Sequence, residues 1–174
     1  VAGLGKRARG VRLAIFDVDG VLTDGTIFMG PEGEAFKAFN ILDGHGVKML
    51  QAAGIATAIL SGRTSKAVAL RARELGIADV VQGAADKLAH FERLCRKHKL
   101  APEACAFVGD DLPDLPVMRR CGLAVAVANA VKAVKSQAHY VTRASGGHGA
   151  VREVCEMILS AQEKDAGKSG HDPD

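Results

Sequence analysis

The chain has no Trp, a single Tyr and six Phe, so any core it builds must be aliphatic. It has only four Cys, at positions 95, 105, 121 and 155, and no two stand at the spacing of a zinc site or a redox motif. We read them as buried thiols. No apolar run approaches the roughly 18 residues of a membrane span, and no N-terminal stretch resembles a signal peptide, which makes the reducing cytoplasm the expectation. Charge of one sign is lacking too. Against 20 acidic residues stand 23 basic ones, a net of +3, so nucleic acid binding is not implied. The basic clusters Lys6-Arg7-Ala8-Arg9 and Arg96-Lys97-His98-Lys99 read as a solvated terminus and a solvated helix end.

What the chain has is aliphatic alternation. At 174 residues and 48% hydrophobic it fits one domain, and a chain of this length buries roughly 70% of its unfolded surface, enough to fold without a disulfide or structural metal. Short apolar strands are predicted at Val11–Phe16, Ile55–Leu60, Val80–Gln82, Ala104–Val108, Leu123–Val127 and Tyr140–Thr142. Between them lie helical patterns at Gly46–Ala53, Ser65–Leu75, Lys87–Lys99, Leu115–Arg120, Val131–Gln137 and Ala150–Gln162. In the third of these, Leu88, Phe91, Leu94 and Cys95 form one buried stripe. Asp43, Thr64 and Asp86 stand where helix N-caps would, and Gly54 and Gly76 where helices would stop. Strand and helix in alternation predict an α/β fold, a Rossmann-like parallel sheet flanked by helices. Residues 26–39 break the pattern, with two strand-like runs around Gly30-Pro31-Glu32-Gly33, and read as a β-hairpin flap. The domain is expected to span 1–163, with a disordered Gly/Ser/Lys/Asp tail from Lys164 to Asp174.

The first strand runs into Asp17-Val18-Asp19-Gly20-Val21, two carboxylates at the strand end where open α/β sheets bind ligands. Two helix-capping aspartates would look the same at this level. A second acidic cluster, Gly109-Asp110-Asp111-Leu112-Pro113-Asp114, follows another strand. Carboxylates gathered at neighbouring strand ends repel unless a cation neutralises them, and hard oxygen donors select Mg²⁺. Ser61-Gly62-Arg63 ends a third strand and opens a helix, an arrangement that holds an anion and is also a common turn. Lys87 starts a helix, where a cation opposes the dipole, so a phosphate oxygen or simply solvent must favour it there.

These residues together resemble the four ordered motifs of the haloacid dehalogenase superfamily, over about Leu13 to Gln162. The resemblance implies that Asp17 is a nucleophile and Asp19 a general acid/base, and that Asp17, the Asp19 backbone carbonyl and Asp110 ligate Mg²⁺. It also implies that Ser61, Gly62 and Lys87 hold a phosphoryl group and that Asp111 and Asp114 stand behind the ligands. The runs Asp17–Gly25, Phe39-Asn40 with Asp43-Gly44, Ser61–Arg63 and Gly146–Glu153 are similar to one branch, small tetrameric phosphatases of 3-deoxy-D-manno-octulosonate 8-phosphate (Kdo 8-phosphate) that supply lipopolysaccharide synthesis. In that branch the flap replaces a cap domain and neighbouring subunits close the site, so a homotetramer is implied. Asn40, Asp43, Gly44, Lys48, Arg63 and Arg71 would line the substrate path, a surface or capping role being the alternative for each. Arg63 favours Kdo 8-phosphate over nine-carbon sialic-type acids, whose phosphatases often carry an acidic residue there. Leu42 departs from a charged position in many relatives. A nine-carbon sugar acid 9-phosphate and a non-catalytic scaffold subunit are the competing readings.

Overall fold

Four strands with every side chain buried, Leu13–Phe16 (β1), Cys105–Gly109 (β6), Leu123–Ala126 (β7) and most of Ala56–Leu60 (β4), form the centre of the molecule. In the computed structural model, which describes residues 2–166, they join Asp79–Val81 (β5) and Tyr140–Val141 (β8) in a six-stranded sheet of order β5-β4-β1-β6-β7-β8. All five pairings are parallel. Strands buried on both faces can be continuously apolar, and Leu13, Ala14, Ile15 and Phe16 are. β1 lies at the centre, with the chain running to β4 and β5 on one side and to β6, β7 and β8 on the other. That reversal opens a crevice beyond its carboxyl end.

The helix Ala150–Ala166 (α7) packs on both Ala2–Gly10 (α1) and Ile41–Ala52 (α2), with α2 also on β4 and α1 on β7. Lys66–Leu75 (α3) leans on α2. Lys87–His98 (α4) contacts β4 and the short helix Leu115–Met118 (α5), which itself lies on β6 and β7; the short Lys132–Lys135 (α6) also lies on β7. Outside the sheet, Phe28–Gly30 (β2) and Gly33–Phe36 (β3) form an antiparallel hairpin with Phe28 stacked on Phe36 at 4.4 Å.

The α/β prediction and the hairpin hold, and the six strands of the parallel sheet agree with expectation within two residues. Several local expectations do not. The segment around Lys6-Arg7-Ala8-Arg9 is not a solvated terminus but part of α1: Ala8 is buried and Arg7 donates to the Gly122 carbonyl at 2.7 Å. α2 begins five residues earlier than its apolar period suggested, because Asn40, not Asp43, is its N-cap, accepting from the Leu42 and Asp43 amides. Ser65, not Thr64, caps α3, whereas Asp86 caps α4 and Gly76 ends α3 in a left-handed conformation as expected. Lys97 and His98 both bind the buried carboxylate of Asp79, so that end of α4 is not simply solvated. All four cysteines are free and buried. α7 runs through Ala166, three residues into the segment expected to be disordered; 167–174 lie outside the described residues.

Candidate active site

The carboxyl ends of β1, β4 and β6 and the start of α4 converge on one cleft of about 250 Å³. Asp17 leaves β1 with its amide still bonded to the Val108 carbonyl of the neighbouring strand, which fixes its Cα. The chain then turns sharply: the Val21, Leu22 and Thr23 amides all return to the Val18 carbonyl, and Gly20 takes φ +82°. A side chain at Gly20 would be strained by that φ and would overlap the Asp110 carboxylate. The glycine is therefore what lets the two acidic loops meet.

Around Asp17 the charges are ordered. Lys87 Nζ lies 3.0 Å from Asp17 Oδ2 and 2.6 Å from Asp114 Oδ1, with all three side chains at least nine-tenths buried. Asp114 uses its other oxygen to accept the Asp110 and Asp111 amides at 2.9 and 3.3 Å. Asp17, Asp110 and Asp114 offer oxygens all within 4.8 Å of one another, the three-carboxylate group among the described residues that could hold a metal ion. Asp114 spends both oxygens on Lys87 and two amides and so shapes the loop, whereas Asp17, which also meets Lys87 and accepts the Val18 amide at 2.7 Å, stands with Asp110 facing the cleft.

Burial first, and the neighbouring Asp114 second, push the Asp17 carboxyl up to about 6 despite Lys87. Burial, then Asp17 and Asp114, push Asp110 up to about 7. Burial disfavours the Lys87 ammonium, but the two carboxylates outweigh it and its pKa is raised. One lysine thus leaves negative charge uncompensated, and an all-oxygen donor pair of that kind fits Mg²⁺.

Of the residues singled out in the sequence, Asp17, Asp19, Ser61, Gly62, Arg63, Lys87, Asp110, Asp111 and Asp114 all line this cleft. Asp111 is exposed and uses its side chain to cap the next turn through the Leu112 amide. The second group is not brought there. Asn40 caps α2; Asp43 is buried and accepts the Gly149 and Arg152 amides, capping the start of α7. Lys48, Gly44 and Arg71 line a separate groove with Ile41 and Glu74. Gly44 is there to let Arg71 pass, since a Cβ would overlap its guanidinium. Arg71 bonds Glu74 at 2.9 Å and the Asn40 carbonyl at 3.3 Å.

Three residues at the site carried no signal in the sequence. Asn129 bridges the acidic loop to the α7 entry, donating to the Gly20 carbonyl at 2.9 Å and accepting the Gly146 amide at 2.7 Å. Lys37 and Glu34, from the hairpin, reach Asp19 and Arg63. Each depends on a tertiary approach that no local pattern announces.

A parallel sheet with an Asp-x-Asp pair at its switch point, facing a lysine and a second acidic loop, defines a haloacid dehalogenase-like hydrolase, and the family model so described matches residues 68–154. A 3-deoxy-D-manno-octulosonate 8-phosphate phosphatase of Yersinia pestis is 50% identical over 165 residues, covering 95% of this chain and 88% of that protein. The protein of the same name from Escherichia coli K12 is 51% identical over 158 residues, covering 91% and 84%. The crystal structure of the Moraxella catarrhalis phosphatase, in complex with a magnesium ion, a phosphate ion and a KDO molecule, superposes with a TM-score of 0.90 at 42% identity, covering 95% and 96%. The chain belongs to this family of 3-deoxy-D-manno-octulosonate 8-phosphate phosphatases.

Proposed function

We propose that the chain hydrolyses 3-deoxy-D-manno-octulosonate 8-phosphate to the sugar acid and phosphate through an aspartyl-phosphate on Asp17. The observation that carries this is the Asp17 carboxylate held against Lys87 at 3.0 Å beside Asp110, in a cleft that Ser61 and Gly62 also line. An Asp17 oxygen attacks phosphorus while the bond from phosphorus to the sugar oxygen breaks, and Asp19 supplies the proton that oxygen needs to leave. Water then attacks the aspartyl-phosphate, Asp19 takes its proton, and phosphate departs with the Asp17 carboxylate restored. Such a positioned acid/base contributes roughly 10²–10⁴-fold.

Lys87, Ser61 Oγ and the Gly62 amide hold the phosphoryl oxygens. Asp17, Asp110 and the Asp19 carbonyl would hold Mg²⁺, which when bound neutralises charge on the transferring group. Arg63, 47% exposed at the mouth beside Asp19, would pair the sugar carboxylate. The groove at Arg71 and Lys48 and the exposed Ile41, Leu42, Leu70 and Met29 support a homotetramer in which a neighbouring subunit covers this face and the mouth of the site. The reaction would serve lipopolysaccharide precursor synthesis in the cytoplasm; no described helix is long and apolar enough to cross a membrane.

The test is phosphate release from Kdo 8-phosphate, a nine-carbon sugar acid 9-phosphate and a hexose phosphate, with Mg²⁺ and with chelator. Preference for Kdo 8-phosphate that vanishes with chelator is expected. Preference for the nine-carbon acid moves the substrate, and chelator-resistant release, or none from any of the three, overturns the reading.

A further inference from the structure

The acid/base carboxylate is not left to solvent. Asp19 Oδ1 receives Lys37 Nζ at 2.5 Å, and Asp19 Oδ2 lies 3.6 Å from Arg63 Nε. The two partners differ in kind. Arg63 is half exposed, where an ion pair at this distance holds a side chain weakly; the Lys37 side chain is 1% exposed. Lys37 is held in turn by Glu34, at 2.9 Å, and Glu34 also accepts from Arg63 at 3.3 Å and from Ser65 Oγ at 2.5 Å. Ser65 is the N-cap of α3. Two cations and two carboxylates thus join three segments: the hairpin, the loop after β1 and the entry to α3.

Burying a lysine between two carboxylates costs desolvation that the pairing roughly returns, so such a cluster adds little net stability; what it does provide is a fixed arrangement. The arrangement fixed here is that of the one carboxylate that must face the leaving group. We propose that Lys37, held by Glu34, is a positioning residue for Asp19, setting where the acid/base stands relative to the Asp17 nucleophile and tying that placement to the hairpin. The inference rests on the phosphatase reading and deepens it: the hairpin is part of the acid/base apparatus of its own subunit as well as a cover.

The test uses the Mg²⁺-loaded full chain and a series of substituted phenyl phosphates, from nitro- to methoxy-substituted, which carry no carboxylate. kcat/KM reports the steps through departure of the leaving group. A good leaving group needs no proton and a poor one does, so misplacing Asp19 steepens the dependence on leaving-group pKa. Lys37→Met is expected to lose about 100-fold on the poorest leaving group and under about 10-fold on the best, with Lys37→Arg restoring much of the difference. Mg²⁺-induced thermal stabilisation should match the wild type. An equal loss along the series, or lost Mg²⁺ stabilisation, would mean that Lys37 supports the fold or the metal site, and would overturn the proposal. If the wild type itself hydrolyses none of the series or Kdo 8-phosphate, the phosphatase reading fails first. Glu34→Gln, which keeps the shape of the cluster, should show the same steepening to a smaller degree; an unchanged slope would remove Glu34 from the assignment.

Discussion

Replacing Asp110 by Asn should make the metal-free protein more stable while destroying its response to Mg²⁺. Burial and the neighbouring Asp17 and Asp114 raise the Asp110 carboxyl from 3.8 to about 7. A group whose folded pKa is raised binds its proton more tightly in the native state. Its contribution is therefore fully present below the unfolded value, near 3.8, and is lost as pH climbs through 7. At about 1.4 kcal/mol per pKa unit, the raised Asp110 carboxyl lowers stability relative to acid by at most about 4 kcal/mol at pH 8, by at most about 2 kcal/mol at pH 5, where the native carboxyl keeps its proton and only the unfolded one ionises, and by almost nothing at pH 3, partial exposure to solvent reducing each figure. Asn carries no charge at any pH, so the gain from Asp110→Asn should follow that profile, reduced by whatever the amide fails to hydrogen-bond. Urea unfolding of wild type and variant in chelator at pH 3.5, 5 and 8 measures it. With Mg²⁺ added at pH 8, wild type should gain stability and the variant should not. A variant that is destabilised equally at all three values would refute the idea that crowded carboxylates are the site's main electrostatic cost.

Asp17→Asn should abolish phosphate release, by at least about 10³-fold, with circular dichroism unchanged; residual release near wild type would exclude covalent transfer through this residue. Gly20→Ala puts a methyl group into the Asp110 carboxylate at φ +82°, and should cost about 100-fold in kcat together with weaker Mg²⁺ binding, measured by titration. Burial raises the Cys121 thiol to about 12 and also raises those of Cys95, Cys105 and Cys155, so the native protein should react with a thiol reagent at pH 8 far more slowly than in denaturant. Lys97 and His98 lower the Asp79 carboxyl despite its burial, so its stabilisation is present above about 3.8 and is lost as pH falls through the lower folded value. Asp79→Asn should cost about 1 kcal/mol at neutral pH, Lys97 being largely exposed, and less near pH 3 by chemical denaturation.

The catalytic cleft was legible because its residues sit at strand ends, and a parallel sheet carries all its strand ends to one side whatever the details of packing. Asp17, Ser61 and Asp110 could be brought together from topology alone, whereas Lys87 opens α4 and joins them by reaching Asp17 and Asp114. The substrate-path group was not legible in the same way, since Asn40 and Asp43 follow the flap rather than a strand and spend their side chains on helix termini. α1 escaped notice because three glycines and a run of positive charge argue against a helix locally; packing on α7 and the Arg7 bond to Gly122 override that propensity. Lys37 looked like any lysine after a strand. Its significance is set by Asp19, 18 residues earlier, and distance along the chain hides such a pair.

The strand order has an evolutionary consequence. Every group assigned to the chemistry sits at the carboxyl rim of the sheet or on the hairpin above it, and the turns at the opposite rim, such as the exposed Ala52–Gly54 between α2 and β4, carry none. The exposed Ala52–Gly54 turn should accept substitution or insertion with turnover unchanged, whereas Gly122 at the same rim has no room for a side chain beside the Glu103 carbonyl. Differences in substrate choice among related chains should therefore concentrate in residues 26–48 and 61–71, and differences in thermal tolerance in the turns behind them.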